Sequence, residues 1–242
     1  MIERQAFLLA AGVGSRLETL TREKPKCLLP INGKPLLQIW FELLRSQNVT
    51  QVLLNTHWLH QQVEDFVIQW QSYNPSPQVT LFHEPVLLGS AGTILANRNW
   101  ITPGNPFLIL YADNLTDVPV GKLVDRHSQH GLPFTLGVFR TAFPTQCGIA
   151  EISLDNVVIG FEEKPAHPKS EWAAAGVYVA DDRIYDVFPP FQNSDNKLDL
   201  GFHIIPRLLG KMEAYYIHDF LVDIGTREAY NKAVTAWQGR KS

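Results

Sequence analysis

The feature that most constrains the fold is an alternation of short apolar runs with segments of helical spacing in the first half of the sequence. Helical spacing of apolar residues covers 35–44 and 59–70, and Ser90 could cap a further helix over 91–100. The apolar runs with the length of buried strands are 6–9, 52–54, 79–82 and 107–111. Such alternation predicts a mostly parallel sheet with helices on both faces.

The second half of the sequence is more mixed. A strand pattern covers 134–139 and another 177–180, a hairpin is predicted over 149–161, and a terminal helix over 226–237. The sequence contains no internal repeat and no obvious linker. It also lacks the hexapeptide period that is typical of an appended β-helix. We therefore expect one α/β domain over 1–242, Rossmann-like, with a mixed sheet.

Composition and charge exclude several classes of protein. The 21 Lys and Arg residues nearly balance the 24 Asp and Glu residues, and the absence of a basic run argues against nucleic acid as a partner. Two cysteines, Cys27 and Cys147, argue against a disulfide framework or a cysteine zinc site. No apolar run reaches the ~18 residues of a membrane span, and no signal-peptide layout is evident. These features predict a cytoplasmic protein without a membrane partner.

A glycine-rich loop at 9–17 follows the first apolar run directly. Glycines let a backbone approach phosphate closely, and successive N–H groups can bind an anion. Leu17 stands where a dinucleotide fingerprint needs a third glycine, and the Pro35 after Gly33-Lys34 excludes a Walker A loop. The cations of Arg16 and Lys26 would suit a polyphosphate. On these residues alone, a solvated connection with incidental charges is an equally good interpretation.

Longer segments resemble the sugar-1-phosphate nucleotidyltransferases, also called NDP-sugar pyrophosphorylases. The segments LAAGVGSRL (9–17), PKCLLP (25–30) and GKPL (33–36) resemble the N-terminal signature of that family. Further resemblances extend to about Tyr230. They are LGSAG (88–92) for the base loop, ADN (112–114) and VDIGT (222–226) for the metal motifs, EEKP (162–165), and AGVY (175–178) for the sugar-site strand.

The resemblance implies that a sugar 1-phosphate attacks the α-phosphate of a nucleoside triphosphate and that pyrophosphate leaves. It implies catalytic roles for Arg16, Lys26 and Asp113, and a Mg²⁺ site at Asp113 and Asp223. The residues implied to bind the nucleotide are Leu9, Ala11, Gly12, Gly14, Ser15, Gly89 and Ser90. Those implied to bind the sugar phosphate are Gly148, Glu163, Lys164 and Ala174.

Departures from the family pattern bear on the substrate. Ala174 stands where several members carry a sugar-contacting Asn, while Cys27 replaces a Pro and receives no catalytic role. The GSAG loop at 89–92 resembles the guanylyl branch, so GTP with mannose or heptose 1-phosphate is expected. Three alternatives stay open: a uridylyltransferase for a hexose or amino-sugar 1-phosphate, a cytidylyltransferase for a non-sugar alcohol phosphate, and a catalytically silent nucleotide-sugar-binding regulatory subunit. Formation of a homo-oligomer is also left open.

The two predicted metal ligands also have ordinary structural interpretations. Asp113 could cap a helix, and Asp223 could be a turn aspartate before Gly225, because aspartate is favoured at both kinds of position.

Overall fold

The computed structural model of the protein describes residues 4–17, 19–189 and 197–238. The strands in these ranges are β1 (Arg4–Leu9), β2 (Pro30–Ile31), β3 (Lys34–Pro35), β4 (Val49–Thr56), β5 (Gln78–His83), β6 (Phe107–Tyr111), β7 (Asn114–Thr116), β8 (Phe134–Arg140), β9 (Gly148–Ile152), β10 (Val158–Glu163), β11 (Trp172–Ala180), β12 (Met212–Tyr216) and β13 (Leu221–Asp223). The α-helices are α1 (Thr19–Arg22), α2 (Leu36–Ser46), α3 (His60–Tyr73), α4 (Ser90–Ala96), α5 (Val120–His130) and α6 (Arg227–Trp237).

The chain divides into two compact units. Unit 1 comprises Met1–Val86, Leu110–Pro119 and Asp219–Ser242, and unit 2 comprises Leu87–Ile109 and Val120–His218. The chain passes from one unit to the other more than once, so neither unit is a continuous segment. That all of 1–242 acts as one nucleotidyltransferase domain stays a prediction.

Unit 1 contains a parallel arrangement of β1, β4 and β5. β4 pairs in parallel with β1 and also with β5. Five consecutive residues of β4, from Val52 to Thr56, are buried, as expected for a parallel strand covered on both faces. The apolar stripes of α2 and α3 meet where Phe41 packs on Trp70, with ring centroids 5.5 Å apart. The strand and helix patterns expected for 6–82 are therefore confirmed.

A short antiparallel pair, β7 with β13, also belongs to unit 1. β7 follows β6 after a two-residue turn, and β13 pairs with it so that Asp223 stands opposite Asn114. The backbone N–H of Ile224 donates to the carbonyl of Asp113 at 3.0 Å. This pairing joins chain segments that are more than a hundred residues apart in sequence.

Unit 2 contains a mixed sheet. β11 pairs antiparallel with β8 and β9, β10 pairs antiparallel with β9, and β12 pairs in parallel with β8. The predicted hairpin is confirmed, with Asn156 in the left-handed region at φ 61° in its turn. Together with the parallel strands of unit 1, this confirms the α/β class with a mixed sheet.

Some elements differ from the sequence prediction. Ser90 is the first residue of α4 and does not cap it, since Gly89 precedes the helix and no side-chain bond closes its start. α4 ends at Ala96, and a 3-10 turn over Arg98–Trp100 replaces the rest of the predicted helix. The elements that were not predicted are helices α1 and α5 and strands β2, β3, β7, β12 and β13. None of the helices in the described ranges is long and apolar enough to cross a membrane.

Candidate functional site

Lys26 is a buried cation that contacts two acidic side chains in unit 1. Its Nζ donates to Oδ2 of Asp113 at 2.7 Å and to Oδ1 of Asp223 at 3.4 Å. The Lys26 side chain is only 8% exposed, whereas the Asp113 and Asp223 side chains are 38% and 56% exposed. The two carboxylates therefore converge on one ammonium group and keep surface that faces solvent.

Local structure explains this convergence. Pro25 precedes a single 3-10 turn over Lys26–Leu28, in which all three residues are buried, and this turn directs the Lys26 side chain inward. Asp113 lies in the turn between β6 and β7, and Asp223 ends β13. Asp113 is followed by a strand, so the interpretation of Asp113 as a helix cap is wrong. Asp223 does bond the turn, because the N–H of Gly225 donates to its Oδ1 at 2.7 Å.

The electrostatics of this cluster suit a divalent cation. Partial removal from water raises the pKa of Asp223, and the negative charge of Asp113 raises it further, while Lys26 opposes both effects. In the part of the chain that is described, no group of three or more His, Cys, Asp or Glu side chains could enclose a metal. A site of two carboxylates fits Mg²⁺, which usually completes its shell with phosphate oxygens and water.

Arg16 belongs to the same cluster. A Cβ added to Gly225 would lie 2.9 Å from a terminal guanidinium nitrogen of Arg16 and 2.9 Å from Oδ1 of Asp223. The guanidinium and the Asp223 carboxylate therefore both crowd the Gly225 backbone. A glycine after the second aspartate leaves room for an arginine from the glycine-rich loop.

In the glycine-rich loop, Gly14 packs against Thr21 and accepts a hydrogen bond from it. Gly14 has φ +69°, and a Cβ there would lie 2.9 Å from the methyl group of Thr21, so both conformation and space require glycine. The Thr21 hydroxyl donates to the carbonyl of Gly14 at 2.9 Å. A Cβ at Gly12 would meet nothing within 4 Å, so the surrounding chain does not require glycine at that position. Leu9 and Ala11 are partly or fully buried, while Ser15 is exposed.

Two residues that were not predicted hold the start of this loop. The backbone N–H of Ala10 donates to Oδ1 of Asn55 at 2.6 Å. The amide nitrogen of Asn55 donates in turn to the buried carboxylate of Glu84 at 2.8 Å. The sequence signal that could have identified them is a polar residue at the end of each apolar run: Asn55 follows 52–54, and Glu84 lies two positions after 79–82.

In unit 2, Gly89 and Ser90 lie where segment 198–201 packs. Gly89 has φ +81°, and a Cβ there would collide with the carbonyl oxygen of Leu198. The hydroxyl of Ser90 donates to Oδ2 of Asp199 at 3.0 Å. Asp199 was not among the predicted site residues, because no motif in the sequence includes it.

Three of the four residues predicted for the sugar phosphate lie together in unit 2. Gly148 and Glu163 stand opposite each other where β9 pairs with β10, and the N–H of Lys164 donates to the carbonyl of Cys147 at 3.0 Å. The Lys164 ammonium is 3.9 Å from Oε1 of Glu163. Burial raises the pKa of Glu163, Lys164 lowers it, and Asp199 raises it. Ala174 lies on the neighbouring strand β11, opposite Val138 of β8.

Cys27 is buried in the same 3-10 turn as Lys26. Burial raises the pKa of its thiol to about 12, so the sulfur stays protonated and a poor nucleophile at neutral pH.

Comparisons with known proteins support the resemblance. The model of the nucleotidyl transferase family matches residues 5–239. The chain is 27% identical over 224 residues to the mannose-1-phosphate guanylyltransferase catalytic subunit beta of Dictyostelium discoideum, covering 91% of this chain and 61% of that protein. It is 28% identical over 232 residues to the D-glycero-alpha-D-manno-heptose 1-phosphate guanylyltransferase of Aneurinibacillus thermoaerophilus, covering 95% of this chain and 96% of that protein. The chain thus spans about three fifths of the length of the first relative.

Solved structures share the fold. HddC from Yersinia pseudotuberculosis aligns with a TM-score of 0.80 at 23% identity, over 97% of this chain and 99% of that one. A candidate glucose-1-phosphate thymidylyltransferase from Bacillus anthracis aligns with a TM-score of 0.88 at 21% identity, over 99% and 97%. At these identities the likeness establishes the α/β fold. With the family model matching nearly the whole sequence, the chain belongs to the nucleotidyl transferase family.

Proposed function

We propose that the protein joins a nucleoside triphosphate to a sugar 1-phosphate, giving an NDP-sugar and pyrophosphate. A phosphate oxygen of the sugar 1-phosphate forms a bond to the α-phosphorus, and the bond from that phosphorus to the pyrophosphate oxygen breaks. No covalent intermediate with the chain is needed. Catalysis then rests on positioning two anions and offsetting their repulsion.

The observation that carries this proposal is the buried ammonium of Lys26 between Asp113 and Asp223, next to a glycine-rich loop. Burying a lysine side chain to 8% exposure is costly unless its charge is balanced by acidic partners. Here its charge is balanced by two carboxylates that keep exposed surface. Such a cluster can exchange one partner for a phosphate oxygen without burying a new unpaired charge.

Each basic residue then has a distinct task. Lys26 offsets the charge that develops at the α-phosphate, and Arg16 holds the β- and γ-phosphates and the departing pyrophosphate. Residues 9–15 approach the nucleotide through their backbone, for which the open space around Gly12 is suitable. Lys164 holds the phosphate of the sugar substrate, and the Glu163 carboxylate accepts hydrogen bonds from its hydroxyls.

Asp113 and Asp223 would hold a divalent cation, for which we propose Mg²⁺. When bound, that ion supplies positive charge to the phosphates of both substrates. The chain's own contribution is to align the two carboxylates, through the pairing of β7 with β13 and the bond from the Gly225 N–H to Asp223.

For the substrates we propose GTP with a mannose or heptose 1-phosphate. The names of the relatives from Dictyostelium discoideum and Aneurinibacillus thermoaerophilus support this choice, as does the GSAG sequence at 89–92. We also propose a cytoplasmic location, where nucleoside triphosphates are available.

The test is pyrophosphate release from each of the common nucleoside triphosphates against a panel of sugar 1-phosphates, with and without Mg²⁺. We expect metal-dependent release with GTP and a manno-configured sugar 1-phosphate. Release with UTP and a hexose or amino-sugar phosphate would instead establish the uridylyl alternative. Tight nucleotide-sugar binding without release in any combination would contradict the proposal and favour the regulatory subunit.

A further inference from the structure

Segment 198–201 holds the start of helix α4 in unit 2. The carbonyl oxygen of Leu198 accepts from the N–H groups of Ala91 at 2.9 Å and Gly92 at 3.1 Å. The Leu198 N–H donates to the carbonyl of Leu88 at 2.9 Å. Three backbone bonds therefore tie the predicted base-binding loop to a segment more than a hundred residues later.

The Ser90 hydroxyl is part of the same connection. It donates to Oδ2 of Asp199 at 3.0 Å and accepts from the N–H of Leu200 at 2.8 Å. Its proton is thus engaged within the protein, so the side chain of Ser90 fixes the loop instead of reading a nucleotide base. The backbone around Ser90 then takes its position from Asp199.

The other carboxylate oxygen of Asp199 organises the backbone next to Glu163. Oδ1 of Asp199 accepts from the N–H groups of Gly201 at 2.8 Å and Phe202 at 3.1 Å, which begins the short helical turn over Leu200–Ile204. A Cβ on Gly201 would lie 2.5 Å from Oε2 of Glu163. A Cβ on Gly148 would lie at the same distance from that oxygen. The Glu163 carboxylate therefore sits in a notch between two glycines, and Asp199 fixes one side of it.

We propose that Asp199 is a positioning residue for both substrates of the proposed transfer reaction. Through Ser90 it sets the loop that approaches the nucleotide base, and through Gly201 it sets the notch that aims Glu163 at the sugar. This inference rests on the proposed function. It adds one side chain that links two binding surfaces which the sequence motifs treat as separate.

The first test compares KM and kcat for the Asp199→Ala variant. A residue that only positions binding groups affects ground-state binding, so we expect KM to rise about tenfold for both the nucleotide and the sugar 1-phosphate, the scale of losing charged hydrogen bonds. We expect kcat to stay within about threefold. Hydrogen exchange should be faster at Ala91 and Gly92 in this variant. KM values within twofold of wild type despite that faster exchange would overturn the proposal.

A conservative variant separates the two links. In Asp199→Asn the side-chain oxygen can still accept from Gly201 and Phe202, but the amide nitrogen cannot accept the Ser90 proton. We expect the KM for the sugar 1-phosphate to return towards wild type while the KM for the nucleotide stays raised. Ser90→Ala should likewise raise the KM for the nucleotide more than that for the sugar. Equal effects on both substrates in these two variants would contradict the assignment. If Asp199→Ala fails to fold, Asp199→Asn and Ser90→Ala still test the proposal.

Asp181 provides a matched control, since it too is an aspartate that begins a short helical turn in unit 2. Asp181→Ala should reduce stability and leave both KM values unchanged. If Asp181→Ala raises the KM values as much as Asp199→Ala does, a general loss of stability explains the rise in both variants, and the positioning role of Asp199 is wrong.

Failure of the proposed function can be told apart from failure of this inference. If wild type binds nucleotide and sugar phosphate in calorimetry without turnover, the transfer reaction is wrong, and Asp199→Ala must still weaken both affinities about tenfold for the positioning role to stand. If wild type binds neither ligand, both proposals are wrong.

Discussion

At the scale of single residues, Lys26 balances the negative charges of the candidate site. Its ammonium lies within hydrogen-bond distance of Asp113 and Asp223, and its side chain is almost fully buried. The geometry makes the three side chains interdependent, because removing the cation leaves two carboxylates facing each other. A change at any one of them should therefore alter activity more than a change at an isolated surface charge.

Replacing Lys26 by Ala should reduce kcat by about 10²–10³, the scale of losing one electrostatic contact to the transition state. The measurement is pyrophosphate release at saturating substrates, with circular dichroism to verify folding. Lys232→Ala is a suitable control, since that lysine pairs with Glu228 on the exposed surface of α6. Wild-type turnover in a folded Lys26→Ala variant would remove the catalytic role assigned to it.

Replacing Asp113 by Asn should abolish activation by Mg²⁺ and leave the protein folded, because it removes one of two carboxylates without changing the shape of the side chain. A metal titration of the initial rate measures this. Asp117→Asn is the control: its Oδ1 accepts from the Phe220 N–H, which an asparagine oxygen can also do. If Asp113→Asn responds to Mg²⁺ as the control does, the metal assignment is wrong.

At the scale of structural elements, short turns at strand ends carry much of the polar bonding. Asp181 follows β11 and begins the 3-10 segment Asp182–Val187, where its Oδ1 accepts from the Arg183 N–H at 3.0 Å. Burial would raise the pKa of Asp181, but hydrogen bonds from His127 and Arg183 outweigh it and lower the pKa to about 2. The ionised carboxylate is therefore favoured in the folded protein.

This shift predicts an acid-sensitive contribution to stability. A carboxyl whose pKa is lower in the folded state stabilises it above the unfolded pKa of about 3.9, and the contribution is lost as the pH falls towards about 2. Asp181→Asn should cost about 1–2 kcal/mol in the free energy of unfolding at pH 6, after allowance for screening by water, and much less at pH 2.5.

Urea unfolding at pH 6, 4 and 2.5 measures this difference. Asp186→Asn, an exposed aspartate in the same 3-10 segment, controls for the change in net charge. A difference between wild type and Asp181→Asn that does not change with pH would show that the bonds do not depend on the ionised carboxylate.

At the scale of the whole molecule, the two units carry different groups of predicted site residues. Unit 1 holds Arg16, Lys26, Asp113 and Asp223, and unit 2 holds Gly89, Ser90, Gly148, Glu163, Lys164 and Ala174. A ligand that binds only the folded protein increases its free energy of unfolding, so ligand binding should be visible in the stability of the protein.

A nucleoside triphosphate at about 100 times its Kd should stabilise the protein by about 2.7 kcal/mol, which raises Tm by several degrees for a chain of this size. For GTP we expect the shift to be larger with Mg²⁺ than with EDTA, and Asp113→Asn should remove that dependence on metal. Differential scanning calorimetry measures it. The same shift in EDTA as in Mg²⁺ would contradict a metal held by Asp113 and Asp223.

The sequence by itself determined the parallel strands β1, β4 and β5, the helices α2, α3 and α6, and the motifs that identify the family. These are local signals, since periodicity and short motifs depend on neighbours within a few residues. The hairpin of β9 and β10 was predictable for the same reason, because its turn and both strands are contiguous. Strands as short as β7 and β13 carry no comparable pattern.

Only the tertiary structure decided which charged groups meet. Lys26 bonds residues 87 and 197 positions away, and Ser90 bonds Asp199 at a separation of 109. No local pattern encodes these pairs, because they form only when separate segments pack together. For this reason the sequence did not predict a role for Asp199. Its carboxylate contacts Ser90 only because segment 198–201 packs against the start of α4.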